Sequence, residues 1–289
     1  MERSFNPSSD ARGEARHLKT SDENLQRIEE IIDAGWRRVS ATTGYLSERE
    51  ARLVMAAAAL SPAHGKNLEI GSFKGRSTVG IAYVTRELGL GKVVAVDPHT
   101  SPASTDPDLR SRGQSTSYDD FVANLRTAGV LDRVEIKRAY SHDLARDWND
   151  QLRFLWIDGD HTYEGAKADL EMFKPFLADG AIVAMHDVLG TFEGALRVYV
   201  EEVLDSDDFG PAGFSGSIGW AQYRPRDGAR FRWRRRLLAI PARRLVPVAR
   251  RADRGLHGWN KFLYKFWRPL APHGDVSVKR FAKVIRSAD

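Results

Sequence analysis

The apolar residues of the chain recur with two different periods between residues 65 and 223. Short apolar runs bounded by polar or glycine-rich turns predict buried strands, and apolar residues three or four positions apart predict helices. The strands are expected at 67–70, 92–96, 134–138, 154–157, 181–185 and 218–223. The helices are expected at 77–88, 118–128, 142–148, 164–177 and 192–204. This alternation predicts an α/β fold of three layers, in which helices cover both faces of a mostly parallel sheet.

Two more helices are predicted before the first strand. Apolar residues recur at helical spacing between residues 21 and 39. Ser47 and Glu50 have the spacing of a capping box, so a second helix is expected to begin there and to run to residue 60. These helices are interpreted either as packing on the sheet or as lying across a pocket at its edge.

The stretch from Lys66 to Thr78 contains a glycine bend between a strand and a helix. Gly71 and Gly75 allow a positive φ and allow a ligand to approach without meeting a Cβ. The helix expected to open at Ser77 presents unpaired amides, so the bend favours a polar or anionic group. We expect either a nucleotide-like ligand here or a packing role for the two glycines.

Acidic or imidazole side chains stand at the predicted C-terminal ends of the strands. They are Glu69, Asp97, Asp158, His186 and Asp187. A single Asp after a strand is commonly a helix N-cap or a turn former. Because a parallel sheet gathers these strand ends along one edge, where open α/β sheets bind ligands, the five residues together predict a site.

The motifs of two common nucleotide-binding proteins are incomplete in this chain. Asp97 lies 26 residues after Gly71, near the spacing at which an acidic residue meets a ribose hydroxyl. The dehydrogenase pattern needs a glycine where this chain has Phe73, which disfavours a nicotinamide cofactor. Arg76 follows Gly75, so no Gly-Lys-Ser/Thr P-loop is formed.

Four segments, in this order, resemble the motifs of class I S-adenosylmethionine-dependent methyltransferases. The segments are Leu68–Thr78, Val94–Pro98, Trp156–Gly165 and Met185–Asp187. They are most similar to the branch that contains bacterial metal-dependent sugar O-methyltransferases, such as the macrocin and mycinamicin enzymes. Cephalosporin-hydroxylase-like proteins are similar to this branch too. The resemblance covers residues 65–223 and implies a Rossmann-like fold with a mostly parallel seven-stranded sheet.

The resemblance also implies a set of residues that bind S-adenosylmethionine. Glu69, Gly71 and Ser72 are expected at its methionine end, and Asp97 at its ribose hydroxyls. Tyr140 and Ser141 are expected beside the adenine. The full implied cofactor set is Glu69, Gly71, Ser72, Gly75, Ser77, Asp97, Tyr140, Ser141 and Asp158.

The reaction residues implied by the resemblance come from the last two motifs. His161 is implied as the general base, with Asp158 as the second catalytic residue. Asp158, His186 and Asp187 are implied ligands of Mg²⁺ or another divalent metal. Related enzymes often carry a carboxylate at the position of His186, and imidazole suits a softer ion than magnesium. Asp160 is an alternative ligand to Asp158.

Charge divides the chain near Pro225. Residues 226–289 contain 18 Lys and Arg and 4 Asp and Glu, a net charge of +14. Residues 1–225 contain 26 Lys and Arg and 35 Asp and Glu, a net charge of −9. We therefore expect an N-terminal helical segment over 1–64, the methyltransferase domain over 65–225 and a basic amphipathic extension over 226–289. The absence of cysteine, of an N-terminal signal sequence and of a long apolar span favours a cytoplasmic protein.

Basic and aromatic residues alternate in the extension, as in Trp259–Arg268. This pattern favours contact with an anionic membrane surface, which would place the protein at the inner face of the cell membrane. An oligomerisation or packing role is the main alternative, and nucleic acid is disfavoured because no recognised nucleic-acid motif accompanies the pattern.

The function expected from these patterns is O-methylation of a sugar hydroxyl on a secondary metabolite, glycolipid or polysaccharide. A second interpretation is methylation of a catechol-like small molecule. A third is an inactive protein that binds membrane or nucleic acid through its basic extension.

Overall fold

The computed structural model describes residues 22–100, 106–252 and 255–286. Residues 1–21, which open the predicted N-terminal segment, lie outside this range. The strands are β1 Lys66–Ile70, β2 Val93–Val96, β3 Val134–Lys137, β4 Leu152–Ile157, β5 Leu177–Met185, β6 Phe209–Ser215 and β7 Ile218–Tyr223. The helices are α1 Asp22–Ser40, α2 Glu48–Leu60, α3 Arg76–Glu87, α4 Pro107–Ser111, α5 Tyr118–Thr127, α6 Ser141–Arg146, α7 Tyr163–Phe173, α8 Glu193–Val198, α9 Arg232–Arg250, α10 Gly258–Trp267 and α11 Val278–Arg286.

The seven strands form one sheet in the order β3-β2-β1-β4-β5-β7-β6. The first five strands of this order are parallel to one another, β7 runs antiparallel to β5, and β6 runs antiparallel to β7. The predicted fold class, a mostly parallel seven-stranded sheet flanked by helices, is confirmed. Strand β6 was not found from the pattern, because Gly210, Pro211 and Gly213 interrupt its apolar run.

The sheet separates two apolar layers, and alternate residues of one strand enter different layers. In β2, Val93 and Ala95 pack in the layer of α1, α2 and α3, whereas Val94 and Val96 pack in the layer of α7 and α8. This period of two follows from the pleat of a strand. Burial on both faces explains why the strands read as continuous apolar runs.

The ends of several helices differ from the sequence expectation. Helix α3 begins at Arg76, one residue before the expected Ser77. The helix expected over 192–204 is α-helical only to Val198 and continues as a π-helix over Tyr199–Leu204. The capping box at the start of α2 is confirmed, since Ser47 and Glu50 each accept from the other's backbone amide.

The basic extension packs partly against the rest of the molecule. Phe281 of α11 lies against Trp220 of β7, with ring centroids 4.6 Å apart. Ala242 and Leu245 of α9 are buried in the layer of α7 and α8. The packing role expected as the alternative therefore applies to the buried faces of α9 and α11. The division of the chain into three parts stays a prediction. No helix in the described part of the chain has the length and apolar character needed to cross a bilayer.

Candidate active site

The C-terminal ends of the central strands lie in register. Ile70 of β1 pairs with Val96 of β2 and with Ile157 of β4, and Ile157 pairs with Met185 of β5. The residues that follow these strand ends are therefore neighbours along one edge: Gly71, Asp97, Asp158 and His186. The structure thus brings together residues that lie far apart in sequence, at the point where the strand order reverses.

The glycine bend, residues 71–75, lies directly against the end of β4. Gly71 has a φ of 84°, and a Cβ at this position would overlap the carbonyl oxygen of Asp158. Gly75 has a φ of 86° and is the N-cap of α3. Glycine at 71 therefore serves close packing between the bend and the end of β4, and the approach of a ligand to this backbone stays a prediction.

Asp97 organises the glycine bend through its carboxylate. One oxygen accepts from the amides of Ser72 and Phe73, each at 2.8 Å, and the other accepts from the amide of His99 at 2.6 Å. A carboxylate has about four acceptor positions, so these three bonds leave one for a ligand. The predicted contact of Asp97 with ribose hydroxyls is compatible with this arrangement and stays a prediction.

Glu69 lies beneath the bend and is buried. It accepts a hydrogen bond from the hydroxyl of Ser77, and burial raises its pKa to about 8. Within the described residues, the second carboxyl oxygen of Glu69 and the hydroxyl of Ser72 are buried without a hydrogen-bond partner. Because buried polar atoms are normally paired, the two residues fit the polar methionine end of the implied cofactor.

Tyr140 and Ser141 follow β3, as the adenine prediction requires. Tyr140 is 52% exposed and stacks on His142, with ring centroids 5.4 Å apart. The hydroxyl of Ser141 donates to Asp169 at 2.6 Å, so it is already engaged with α7. Burial raises the pKa of Asp169 to about 6. The role of both residues at an adenine ring stays a prediction.

Four side chains after β4 and β5 form what we call the Asp–His cluster: Asp158, His161, His186 and Asp187. Nδ1 of His186 lies 3.0 Å from Oδ1 of Asp158, and Nε2 of His161 lies 3.4 Å from the same oxygen. Both imidazoles lie 3.7 Å from Oδ2 of Asp187. Asp187 has a φ of 54°, an unusual value for a non-glycine residue.

The carboxylates of the Asp–His cluster favour positive charge on its imidazoles. Burial alone lowers the pKa of His186, but Asp158, Glu50 and Asp187 more than offset this effect, and its pKa lies well above the ordinary value. Burial also opposes protonation of His161, yet Asp158 and Asp187 raise its pKa. Burial raises the pKa of Asp187, whereas the two imidazoles lower that of Asp158 despite its burial.

Glu50 of α2 is a neighbour of the cluster that sequence reasoning missed. One of its oxygens accepts from the amide and the hydroxyl of Ser217, both at 2.7 Å. The other accepts from Ser47 and lies 4.0 Å from Nε2 of His186. Burial opposes ionisation of Glu50, but the nearby His186 imidazole and the hydrogen bonds from Ser47 and Ser217 outweigh it and hold the pKa of Glu50 far below its ordinary value. The capping box accounted for Glu50, so no sequence signal pointed to its second contact.

The predicted metal ligands meet, but their arrangement is not that of a metal site. Across residues 22–100, 106–252 and 255–286, no group of three or more His, Asp or Glu side chains is placed to hold a metal ion. Nδ1 of His186 faces Asp158 at hydrogen-bonding distance, so a proton lies between two of the three predicted ligands. The set Asp158, His186 and Asp187 does not fit a metal as it stands, and the metal stays a prediction.

A buried lysine ties the polar loop expected over 100–117 to the glycine bend. Nζ of Lys74 donates to Asp106 at 3.1 Å and to Asp108 at 2.8 Å. The hydroxyl of Tyr45 donates to the other oxygen of Asp106 at 3.0 Å. Residues 101–105 lie outside the described range, and α4 occupies part of the remainder. The described part of the loop is thus fixed beside the predicted cofactor site.

A family model matches the segment that carries the four motifs, and solved structures show similarity to this chain. Residues 68–188 match the family model described as a methyltransferase domain. The O-methyltransferase NovP has a similar structure, with a TM-score of 0.52 and 14% identity over 71% of this chain and 99% of NovP. Cofactor-bound Rv0187 from MTB matches with a TM-score of 0.49 and 18% identity, over 72% of this chain and 93% of that chain.

The family match begins in β1 and ends just after Asp187, so it contains both the glycine bend and the Asp–His cluster. The order and direction of the seven strands agree with the fold that the resemblance implies. Over residues 68–188 the chain therefore matches a methyltransferase domain, and its sheet has the Rossmann-like strand order that the resemblance implies.

Proposed function

We propose that the protein transfers a methyl group from S-adenosylmethionine to a hydroxyl oxygen, on a sugar of a secondary metabolite, glycolipid or polysaccharide. One observation carries this proposal: the glycine bend and the Asp–His cluster are in direct contact. Any Cβ on Gly71 would meet the backbone of Asp158, and His161 lies 3.4 Å from the Asp158 carboxylate. A donor held at Gly71 and Ser72 would therefore lie beside a base.

The residues of the bend are suited to bind and orient the donor. Asp97 holds the amides of Ser72 and Phe73 in place, while Glu69 and Ser72 offer polar atoms that still need partners. Bound S-adenosylmethionine supplies an electrophilic methyl group on a positively charged sulfur. The fixed bend would hold that methyl group at one position, which lowers the entropic cost of reaction.

His161 is the residue best placed to remove a proton from the acceptor. In the neutral form of His161, the form that can act as a base, Nε2 keeps its proton and faces Asp158 and Asp187, which leaves the lone pair on Nδ1. As the new carbon–oxygen bond forms and the carbon–sulfur bond breaks, the hydroxyl proton would pass to Nδ1. The two carboxylates would stabilise the resulting imidazolium, and the products would be a methyl ether and S-adenosylhomocysteine. Phe192 packs on the His161 ring at 4.6 Å and supports its orientation.

The donor is tested by calorimetric titration of the protein with S-adenosylmethionine, before and after treatment with a chelator and with added magnesium. We expect binding to a single site in all three conditions if the bend alone holds the donor. A requirement for magnesium would favour the predicted metal role of Asp158, His186 and Asp187. No binding in any condition would contradict the proposal and favour a protein that acts only through its basic extension.

The acceptor class is tested by transfer of labelled methyl from S-adenosylmethionine to two matched panels, hydroxylated sugars and catechols. We expect label on sugars, lost in His161→Ala. Label confined to catechols would assign the second interpretation, small-molecule catechol methylation.

A further inference from the structure

The outer face of α10 carries three large aromatic side chains in contact with one another. Trp259, Phe262 and Phe266 are 69%, 54% and 53% exposed. The centroids of Trp259 and Phe262 are 5.0 Å apart, and those of Phe262 and Phe266 are 6.4 Å apart. At about 100° per residue the three positions fall within roughly 60° of the helix circumference. We call these three residues the aromatic face.

Two lysines lie beside the aromatic face on the same exposed half of α10. Lys261 and Lys265 are both exposed, and they follow Trp259 by two and six positions. The same combination occurs on α9, where exposed Trp233 and Leu237 alternate with arginines. Aromatic rings flanked by cations match the border between lipid headgroups and acyl chains, where Trp and Phe enter the boundary and Lys meets phosphate.

The inner side of α10 is fixed to the methyltransferase domain. The hydroxyl of Tyr264 donates to the carbonyl of Leu189 at 2.8 Å, and Nε of Arg268 donates to the same oxygen at 3.0 Å. Leu189 follows Asp187 of the Asp–His cluster by two residues. The aromatic face is therefore presented outward by a helix that is anchored beside the candidate active site.

The arrangement of the rings argues against nucleic acid as the occupant. The planes of Trp259 and Phe262 are 22° apart, and those of Phe262 and Phe266 are 19° apart, so the rings stack on one another. Binding of single-stranded nucleic acid uses ring faces that are free to stack on bases. A second copy of the chain is also disfavoured, because an isologous contact would bring two extensions of net charge +14 together.

We propose that the aromatic face, with Lys261 and Lys265, seats this protein on the surface of a lipid bilayer that contains anionic headgroups. The contact is interfacial: the three rings enter the headgroup boundary while α10 lies along the surface. It holds the loop after β5, and with it the Asp–His cluster, close to the bilayer.

The test is cosedimentation of the full chain with vesicles of phosphatidylcholine, with and without phosphatidylglycerol, in the absence of any methyl donor or acceptor. We expect binding to the anionic vesicles that weakens as salt is raised. Replacing all three rings with serine (Trp259→Ser, Phe262→Ser, Phe266→Ser) should lower the partition coefficient by about tenfold or more. Lys261→Gln with Lys265→Gln should lower it by about fivefold or more.

Lys92→Gln with Arg126→Gln removes the same charge from exposed positions outside the extension and should leave binding unchanged. Thermal melting of each variant separates a lost surface contact from a lost fold. Equal vesicle binding by the serine variant and the wild type would overturn the proposal. So would binding of single-stranded DNA, or dimerisation in sedimentation equilibrium, that depends on the aromatic face while vesicles are not bound. Because no donor is present, these outcomes are independent of the proposed methyl transfer.

Discussion

The two halves of the candidate site are built in different ways. The glycine bend is held mainly by backbone groups: Asp97 collects three amides, and Gly71 fits only because it lacks a Cβ. The Asp–His cluster is held by side chains from separate elements, with Glu50 of α2 behind His186. The bend is thus fixed by hydrogen bonds and close backbone packing, whereas the cluster is an electrostatic arrangement whose charges depend on one another.

From this contrast we expect the bend to act in donor binding and the Asp–His cluster to act in methyl transfer. Changes in the bend should alter donor affinity and stability, whereas changes in the cluster should alter turnover.

The largest effect is expected for His161→Ala. Loss of the proposed base should lower kcat by about 100- to 10,000-fold, while donor affinity stays near that of the wild type. Methyl-transfer kinetics and calorimetry on the same preparation measure both quantities. His64→Ala, in the exposed loop before β1, is the matched control. Unaltered turnover would remove His161 as the base.

The next effect is expected for Gly71→Ala. The new Cβ would overlap the Asp158 carbonyl, and the φ of 84° is unfavourable for alanine, so we expect a loss of about 3 kcal/mol of stability. Gly89→Ala is the control, since Gly89 has a φ of 66° but open space around its Cβ position, and should lose only about 1 kcal/mol. Urea denaturation distinguishes the two. Equal losses would mean that the close approach of the bend to β4 is unimportant.

A smaller effect is expected for Asp97→Asn. The amide group would face the backbone amide of His99 and leave that donor unpaired, at a cost of about 1–3 kcal/mol. Donor affinity should fall because a neutral amide accepts hydrogen bonds from the bend and from ribose hydroxyls less strongly than a carboxylate does, and kcat at saturating donor should change little. Asp119→Asn, on the exposed side of α5, controls for the loss of charge. A fall in kcat at unchanged affinity would place Asp97 with the cluster rather than with the bend.

The last effect, expected for Glu69→Gln, is a change in the pH dependence of stability that is small near pH 4.5 and grows towards pH 8. The pKa of Glu69 is raised from 4.5 to about 8, so the folded state keeps a proton that the unfolded state releases above pH 4.5. Stability from this group is complete below pH 4.5 and is lost as pH rises towards 8, by about 1 kcal/mol per pH unit. Glutamine resembles the protonated acid and should flatten the profile. Identical wild-type and variant profiles from thermal melts would show that Glu69 is ionised in the folded protein.

The sequence predicted the bend more completely than the cluster. Gly71 and Asp97 belong to local motifs next to strands, and parallel register then places them together without further information. Asp158, His186 and Asp187 were found for the same reason, whereas His161 was implied by the resemblance to the methyltransferase motifs. Glu50 was not found, because its contacts with Ser217 and His186 join residues more than 130 positions apart.

What the sequence determined by itself was the alternation of strands and helices, the glycine bend and the charged strand ends, since these depend on local periodicity and backbone geometry. Tertiary structure alone decided that Lys74 would tie the polar loop to the bend, and that Glu50 would lie behind His186. It also decided which faces of the basic extension would be buried and which would remain exposed. The physical reason is that an amphipathic pattern predicts how much apolar surface a helix has. Which residues cover that surface depends on the elements that pack against the helix in the folded protein.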